Sequence, residues 1–124
     1  TYIYVKNCEV FDCKITANGS VGGIIGHAGN NPATYHFIEN CVVENCTLTA
    51  NDGSWRAGAI VGTANVGEVT ITNCTDRNNT ISMTWNGSTL NAPADFHASP
   101  VRHLYGRTVF GSTGKLTINS VAIQ

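Results

Sequence analysis

The chain has 124 residues, with seven Lys and Arg against eight Asp and Glu, and no apolar run near the ~20 residues of a membrane span. That length allows one domain with a core of its own, and the charge balance excludes both the basic patch of a nucleic-acid binder and a polybasic membrane surface. Thr, Asn, Gly, Val and Ile dominate while Leu, Lys and Glu are scarce, which favours strands and turns over helices.

From the start of the chain, Val5, Val10 and Ile15 recur every five residues, with Asn7-Cys8 and Asp12-Cys13 between them. The spacing from Cys8 to Val10, and from Cys13 through Ile15 to Ala17, is the two-residue period of strands with one face inward. Asn7 and Asp12 fall where the chain must turn, and both residue types tolerate left-handed backbone angles. A polar turn at Asn18-Gly19 leads into the glycine-flanked run Gly22-Gly23-Ile24-Ile25-Gly26. The stretch Ile38 to Ala50 then repeats Val5 to Ala17 at a shift of 33 residues. It passes a turn at Asn51-Asp52-Gly53 and reaches Ala57-Gly58-Ala59-Ile60-Val61-Gly62. A third copy runs from Ile71 through Asn73, Cys74 and Asn78 to Ile81 and Ser82. Ile71 to Ile118 is 47 residues rather than 33, so about 14 extra residues lie between Met83 and His103. Leu104 to Gly111 is similar to the glycine-flanked runs, and Leu116 to Ile123 reads as the start of a fourth coil.

Short strands separated by corners and repeated every 33 residues predict an all-β parallel β-helix, a solenoid of about three coils. The expected organisation is one domain over 1–124, with coils at about 2–32, 33–67 and 68–114, a partial coil at 115–124 and an insertion at 84–103. Ankyrin repeats share the period, but their helices need Leu- and Ala-rich segments at 3.6-residue spacing, and β-branched residues and Asn-Gly turns stand here instead. The chain starts at Thr1 within a copy, which reads as a fragment of a longer protein stacking on upstream repeats of the same chain.

Direct stacking would set residue i beside i+33 at the ~4.8 Å strand spacing. Lys6 then meets Glu39 and Glu44 meets Arg77, while Asn7, Asn40 and Asn73 share one corner and Asp12, Asn45 and Asn78 another. Asp76 breaks the pattern, standing where Val10 and Val43 predict an inward apolar residue; its side chain is expected to turn to solvent or to bond a backbone amide. The five cysteines fall on repeat positions: Cys8, Cys41 and Cys74 on one, Cys13 and Cys46 on another with Asn79 third. Val121 occupies the first position in the last copy, so the position reads as a small apolar core slot and the thiols as free. The C-x4-C spacing, with no histidine at ligand distance, argues against zinc, and no metal or other cofactor is expected.

The pattern V-x-N-C-x-V-x-(N/D)-C-x-I-T-A, followed by G-G-I-I-G or A-G-A-I-V-G, resembles the GLUG-type repeats of bacterial surface and secreted proteins, including large surface proteins of gut anaerobes. Residues 5–82 carry the resemblance best, 104–123 carry it more weakly, and 84–103 have no counterpart in it. It implies a right-handed parallel β-helix serving as a stalk or adhesive module at the bacterial cell surface. Host or bacterial glycans, or surface proteins, would then be the partners. The repeat defines no catalytic residues.

Enzymatic β-helices concentrate carboxylates on one outer face, because one must donate a proton while another accepts or attacks. Stacking disperses the eight carboxylates of this chain: Glu9 is followed by Val42 and Thr75, and Phe11 by Glu44 and Arg77. No acidic dyad forms by register, so a polysaccharide-active enzyme is the least favoured reading and no catalytic residue is assigned. Ser99 and Ser112 lack a Gly-x-Ser-x-Gly context; His97 and His103 flank Pro100 and could converge with Asp95, but two His and a carboxylate in a loop are more often hydrogen-bonded surface residues than a triad. A binding edge is the more plausible site. Trp55 and Trp85 follow the same strand position in successive coils, Arg56 adjoins them, and the insertion adds Asp95, His97, Arg102 and His103. Exposed Trp with polar neighbours can stack on sugar rings and hydrogen-bond their hydroxyls, making a carbohydrate-binding module. The same residues could instead cover the open end of the helix, as terminal repeats require.

Overall fold

The computed structural model describes residues 1–29, 31–51, 56–85, 88–91, 102–108 and 114–123, and in it the chain turns on single residues. Asn7, Asp12, Asn40, Asn45, Asn73 and Asn78 all adopt left-handed angles, with φ between 52° and 57°. Asn and Asp enter this region at little cost because their short side chains hydrogen-bond locally, so one residue per corner suffices. Between these corners lie β1 (Tyr2–Lys6), β2 (Glu9–Phe11) and β3 (Lys14–Ala17), followed by β4 (Val21–Gly22) and β5 (Ile25–Ala28). The second copy repeats them as β6 (Tyr35–Glu39), β7 (Val42–Glu44), β8 (Thr47–Ala50), β9 (Ala57–Gly58) and β10 (Val61–Ala64). The third holds β11 (Glu68–Thr72), β12 (Thr75–Arg77), β13 (Thr80–Trp85) and β14 (Ser88–Asn91). A 3-10 turn at Arg102–Leu104 leads to β15 (Tyr105–Thr108), and β16 (Lys115–Ile118) and β17 (Val121–Ile123) follow.

Corresponding strands of successive copies pair in parallel, giving sheets ordered β1-β6-β11-β16, β2-β7-β12, β3-β8-β13, β4-β9 and β5-β10-β15. This all-β stack of parallel sheets is consistent with a β-helix. Register is 33 residues where it was expected: Lys6 lies opposite Glu39 and Ile15 opposite Leu48. The ion pairs it implies are present, Lys6 Nζ to Glu39 Oε2 and Arg77 Nη1 to Glu44 Oε1, both at 3.4 Å. Exposed pairs of this kind add at most about 1 kcal/mol each and serve mainly to hold the register.

The shift is not uniform. Val21 pairs with Ala57 and Ile25 with Val61, each 36 residues on. The link from Ala50 to Ala57 is three residues longer than that from Ala17 to Val21, and the link from Ala64 to Glu68 is three shorter than that from Ala28 to Tyr35. Two compensating links therefore let the glycine-flanked strands slide while the other faces keep their register. The extra residues of the third copy precede β15, because Val61 pairs with Tyr105 and Ala64 with Thr108.

Inward columns form the core. Ile38, Cys41, Val43, Leu48, Ile60, Val61, Ile71 and Leu116 are fully buried, as the two-residue strand period requires. One inward column reads Ile3, His36, Val69, Leu116. His36 is only 8% exposed there, and burial pushes its imidazole below the ordinary value, partly offset by a hydrogen bond to the Glu68 backbone.

Val121 departs from its expected core position. Asn119 and Ser120 both adopt positive φ, 49° and 69°, the signature of a two-residue type I′ turn, so β17 runs back antiparallel along β16. Val121 is left 63% exposed, on a strand that does not continue the parallel stack. The insertion starts in the same way, with β14 antiparallel on the outer edge of β13. Two sheets thus end here on reversed strands, which take the place a further parallel strand would occupy.

The cysteines are free, but their burial is graded along the stack: Cys41 and Cys46 are buried, Cys74 is half-buried, and Cys8 and Cys13 are exposed in the first copy. Burial raises the Cys74 thiol to about 11. A thiol reagent at pH 8 should therefore label two cysteines rapidly and three slowly in the native protein, and five on denaturation. Uniformly slow labelling would contradict this gradient.

Candidate functional site

Asp76 sits in register with Val43 and Val10, on the inward side of β12. The expectation that it turns outward or binds a backbone amide does not hold, because two side chains meet it inside. Asn79 Nδ2 donates to Asp76 Oδ1 at 2.7 Å, and His103 Nδ1 donates to Asp76 Oδ2 at 2.5 Å. The carboxyl and imidazole side chains are 10% and 11% exposed. Asn79 takes the place that Cys13 and Cys46 hold in the earlier copies. It also donates to the Val43 carbonyl at 2.7 Å and accepts the Cys46 N–H through Oδ1 at 2.9 Å. A buried carboxylate is tolerated only when its lone pairs are satisfied, and these two neighbours supply that.

His103 arrives from the 3-10 turn after the insertion. Its carbonyl accepts from Ala59 N–H at 2.9 Å and that of Leu104 accepts from Ile60 N–H at 3.0 Å, so backbone bonds to the second copy fix the imidazole. The two irregularities of the sequence, Asp76 and the insertion, thus meet in one contact. A His–Asp pair can orient a general base, but Nε2 of this imidazole is itself buried, and a base must reach the proton it removes. The arrangement suits a latch that holds the returning segment against the stack. Among the described residues, no three His, Cys, Asp or Glu side chains are grouped to hold a metal ion.

Of the residues proposed for the binding edge, Trp55, Asp95 and His97 lie outside the described residues. Trp85 ends β13, opposite Ser88 of β14, and Arg102 opens the 3-10 turn; only their backbones are described. Arg56 is half-buried, and its carbonyl accepts the Val21 N–H at 2.8 Å. His103 is drawn to Asp76.

A second surface went unrecognised in the sequence. Tyr2 and Tyr4 alternate with inward Ile3 and Val5 on β1, and Tyr35 and Phe37 stand opposite them on β6. The rings stack along the outer face: Tyr2 on Tyr35 at 5.0 Å between centroids, Tyr2 on Phe37 at 6.3 Å and Tyr4 on Phe37 at 5.1 Å, with planes within 16° of parallel. Lys6 Nζ lies 5.2 Å over the Tyr4 ring, placing a cation at the end of the row. Tyr2 and Tyr4 are 63% and 59% exposed, large values for aromatic rings. The signal was available: aromatics at i and i+2, repeated at a 33-residue shift, mark one outward face of paired strands.

No curated protein and no solved structure matches the chain. The GLUG motif matches residues 17–52, which span the Gly23-Ile24-Ile25-Gly26 bend and the strands that follow it, so the chain carries a GLUG-type repeat.

Proposed function

We propose that the chain is a non-enzymatic structural or adhesive module of a bacterial cell-surface protein, built as a right-handed parallel β-helix of about three coils in one domain over 1–124. The observation that carries this reading is how its polar residues are used. Asn7, Asp12 and their counterparts turn the chain, Lys6–Glu39 and Glu44–Arg77 pair successive copies, and the largely buried Asp76–His103 pair holds the turn at Arg102–Leu104 against the stack. Groups spent on stacking are not arranged around a substrate.

A second reading, a carbohydrate-binding module, is favoured by the exposed aromatic row Tyr2-Tyr35-Phe37-Tyr4, in addition to the edge proposed at Trp55, Arg56, Trp85, Asp95, His97, Arg102 and His103. Tyrosine rings and hydroxyls together suit the apolar faces and hydroxyls of sugars. A glycan array separates the two readings. A purely structural module gives no saturable binding. Binding lost in the W55A/W85A variant locates a glycan site at the insertion, and binding lost in Y2A/Y4A locates it on the aromatic row, provided circular dichroism is unchanged. Release of reducing ends from acidic polysaccharides by the folded protein would overturn the non-enzymatic reading.

A further inference from the structure

The two ends of the stack differ. One ends on the antiparallel strands β14 and β17, paired with β13 and β16. At the other, β1, β2 and β3 form an end face whose residues follow the pattern of an internal copy. Val5, Val10, Ile15 and Ala17 are only half-buried, and Cys8 and Cys13 are exposed. Their counterparts one copy on, Ile38, Val43, Leu48, Ala50 and Cys41, are 0% exposed, and Cys46 is 1% exposed. Terminal repeats of solenoids ordinarily carry a polar outer face, and this end carries a core.

We propose that this face docks one further copy of the same repeat, in parallel and 33 residues out of phase, supplied by chain preceding Thr1. The reasoning is continuity with the interface already formed between the first and second copies, and it holds wherever the module resides. In that interface Val42 and Thr47 donate their N–H groups to the Cys8 and Cys13 carbonyls at 2.9 Å, and Thr75 and Thr80 repeat this toward Cys41 and Cys46 at 2.8 Å. Glu9 and Lys14 hold the same positions in the first copy and aim the same donors outward from the end face. In return, Asn7 and Asp12 donate to the Glu39 and Glu44 carbonyls at 3.0 Å, so Lys6 and Phe11 carbonyls are the matching acceptors for an incoming copy. The thiols tell the same story. All five thiols bond the carbonyl two residues back in their own copy, and Cys41, Cys46 and Cys74 each also reach a carbonyl 36 residues back, on Val5, Val10 and Ile38, at 3.7 Å, a second acceptor that the end face does not offer Cys8 and Cys13. The occupant is therefore defined by chemistry: Asn or Asp at two left-handed corners, a small apolar residue after each, and carbonyls placed for Glu9 and Lys14.

The test extends the chain by a duplicate of residues 1–33 fused ahead of Thr1, with the two cysteines of the added segment changed to Val. Docking reduces the rapidly labelled thiols of the native protein from two to none, slowing Cys8 and Cys13 at least about tenfold, because buried thiols are inert. It also protects the Glu9 and Lys14 amides from hydrogen exchange. Replacing the added copy's two corner residues by Ile, which resists left-handed angles, should restore both rapid thiols. An added segment that stays unstructured, leaving Cys8 and Cys13 rapid and both amides exchanging freely, overturns the proposal. So does a concentration-dependent dimer of the unextended chain that protects the same two thiols, since a second copy would then be the occupant.

Discussion

Changing His103 to Ala should destabilise the fold by about 3 kcal/mol, because it strips a largely buried carboxyl group of its hydrogen-bond partner and leaves the desolvation cost in place. Asp76 keeps Asn79, but a single amide donor does not compensate a carboxyl group that is 10% exposed. Changing Asp76 to Val restores the apolar column of Val10 and Val43, yet it leaves the imidazole and one Asn79 N–H without their acceptor. Each single change is therefore costly, and the D76V/H103F pair should recover most of the loss. Urea unfolding of wild type, D76V, H103F and D76V/H103F at pH 7 gives the coupling energy, expected above about 1 kcal/mol for groups in one network. Additive single effects would mean that the turn at Arg102–Leu104 is held against the stack without this pair, and the latch would have to be abandoned.

Replacing Gly62 by Ala should cost about 3 kcal/mol, at the upper end for adding one carbon to a packed interior. A Cβ there would lie 2.6 Å from the Gly26 carbonyl oxygen and from the Val21 N and O, all backbone atoms of the neighbouring copy. The other side is no more open, since a Cβ on Gly106 would come 2.4 Å from the Gly62 oxygen. Gly26, Gly62 and Gly106 form one column in adjacent strands, so the chain has no direction in which to give way. Gly19 is the control: nothing lies within 4 Å of its Cβ position, and Ala there should change stability by less than about 0.5 kcal/mol. Thermal unfolding should place G62A roughly 10 °C below wild type and G19A beside it. Equal midpoints for both variants would remove close backbone packing as the reason for this glycine column.

The candidate site was legible in part. The sequence picked out His103 and, separately, the irregular Asp76, but it set the histidine among surface residues that could converge with Asp95, outside the described residues, and expected the aspartate to face solvent or bond a backbone amide. The reading of Asp76 extended a local rule, that a charge in an apolar slot leaves the slot, past the point where a residue 27 positions away could overrule it. The aromatic row was missed for a different reason. The repeat is read from Val5 onward, which leaves Tyr2 and Tyr4 outside the copies, and their alternation with Ile3 and Val5 is what assigns the rings to the outer face.

What the sequence determined alone is the part governed by neighbours in the chain. The two-residue alternation selects the inward columns, Asn and Asp accept left-handed angles at Asn7, Asp12 and their counterparts, and the 33-residue repeat sets Lys6 against Glu39. These follow from backbone sterics and side-chain chemistry within a few residues, copied along the chain. Tertiary structure decided whatever depended on a partner from elsewhere. The glycine strands slid to a 36-residue register because two distant links compensate each other, Val121 left the core because two successive left-handed residues reversed the chain, and Asp76 stayed inside because His103 came back to meet it. A repeat specifies the interface between copies, but at its ends and interruptions burial depends on what actually packs there.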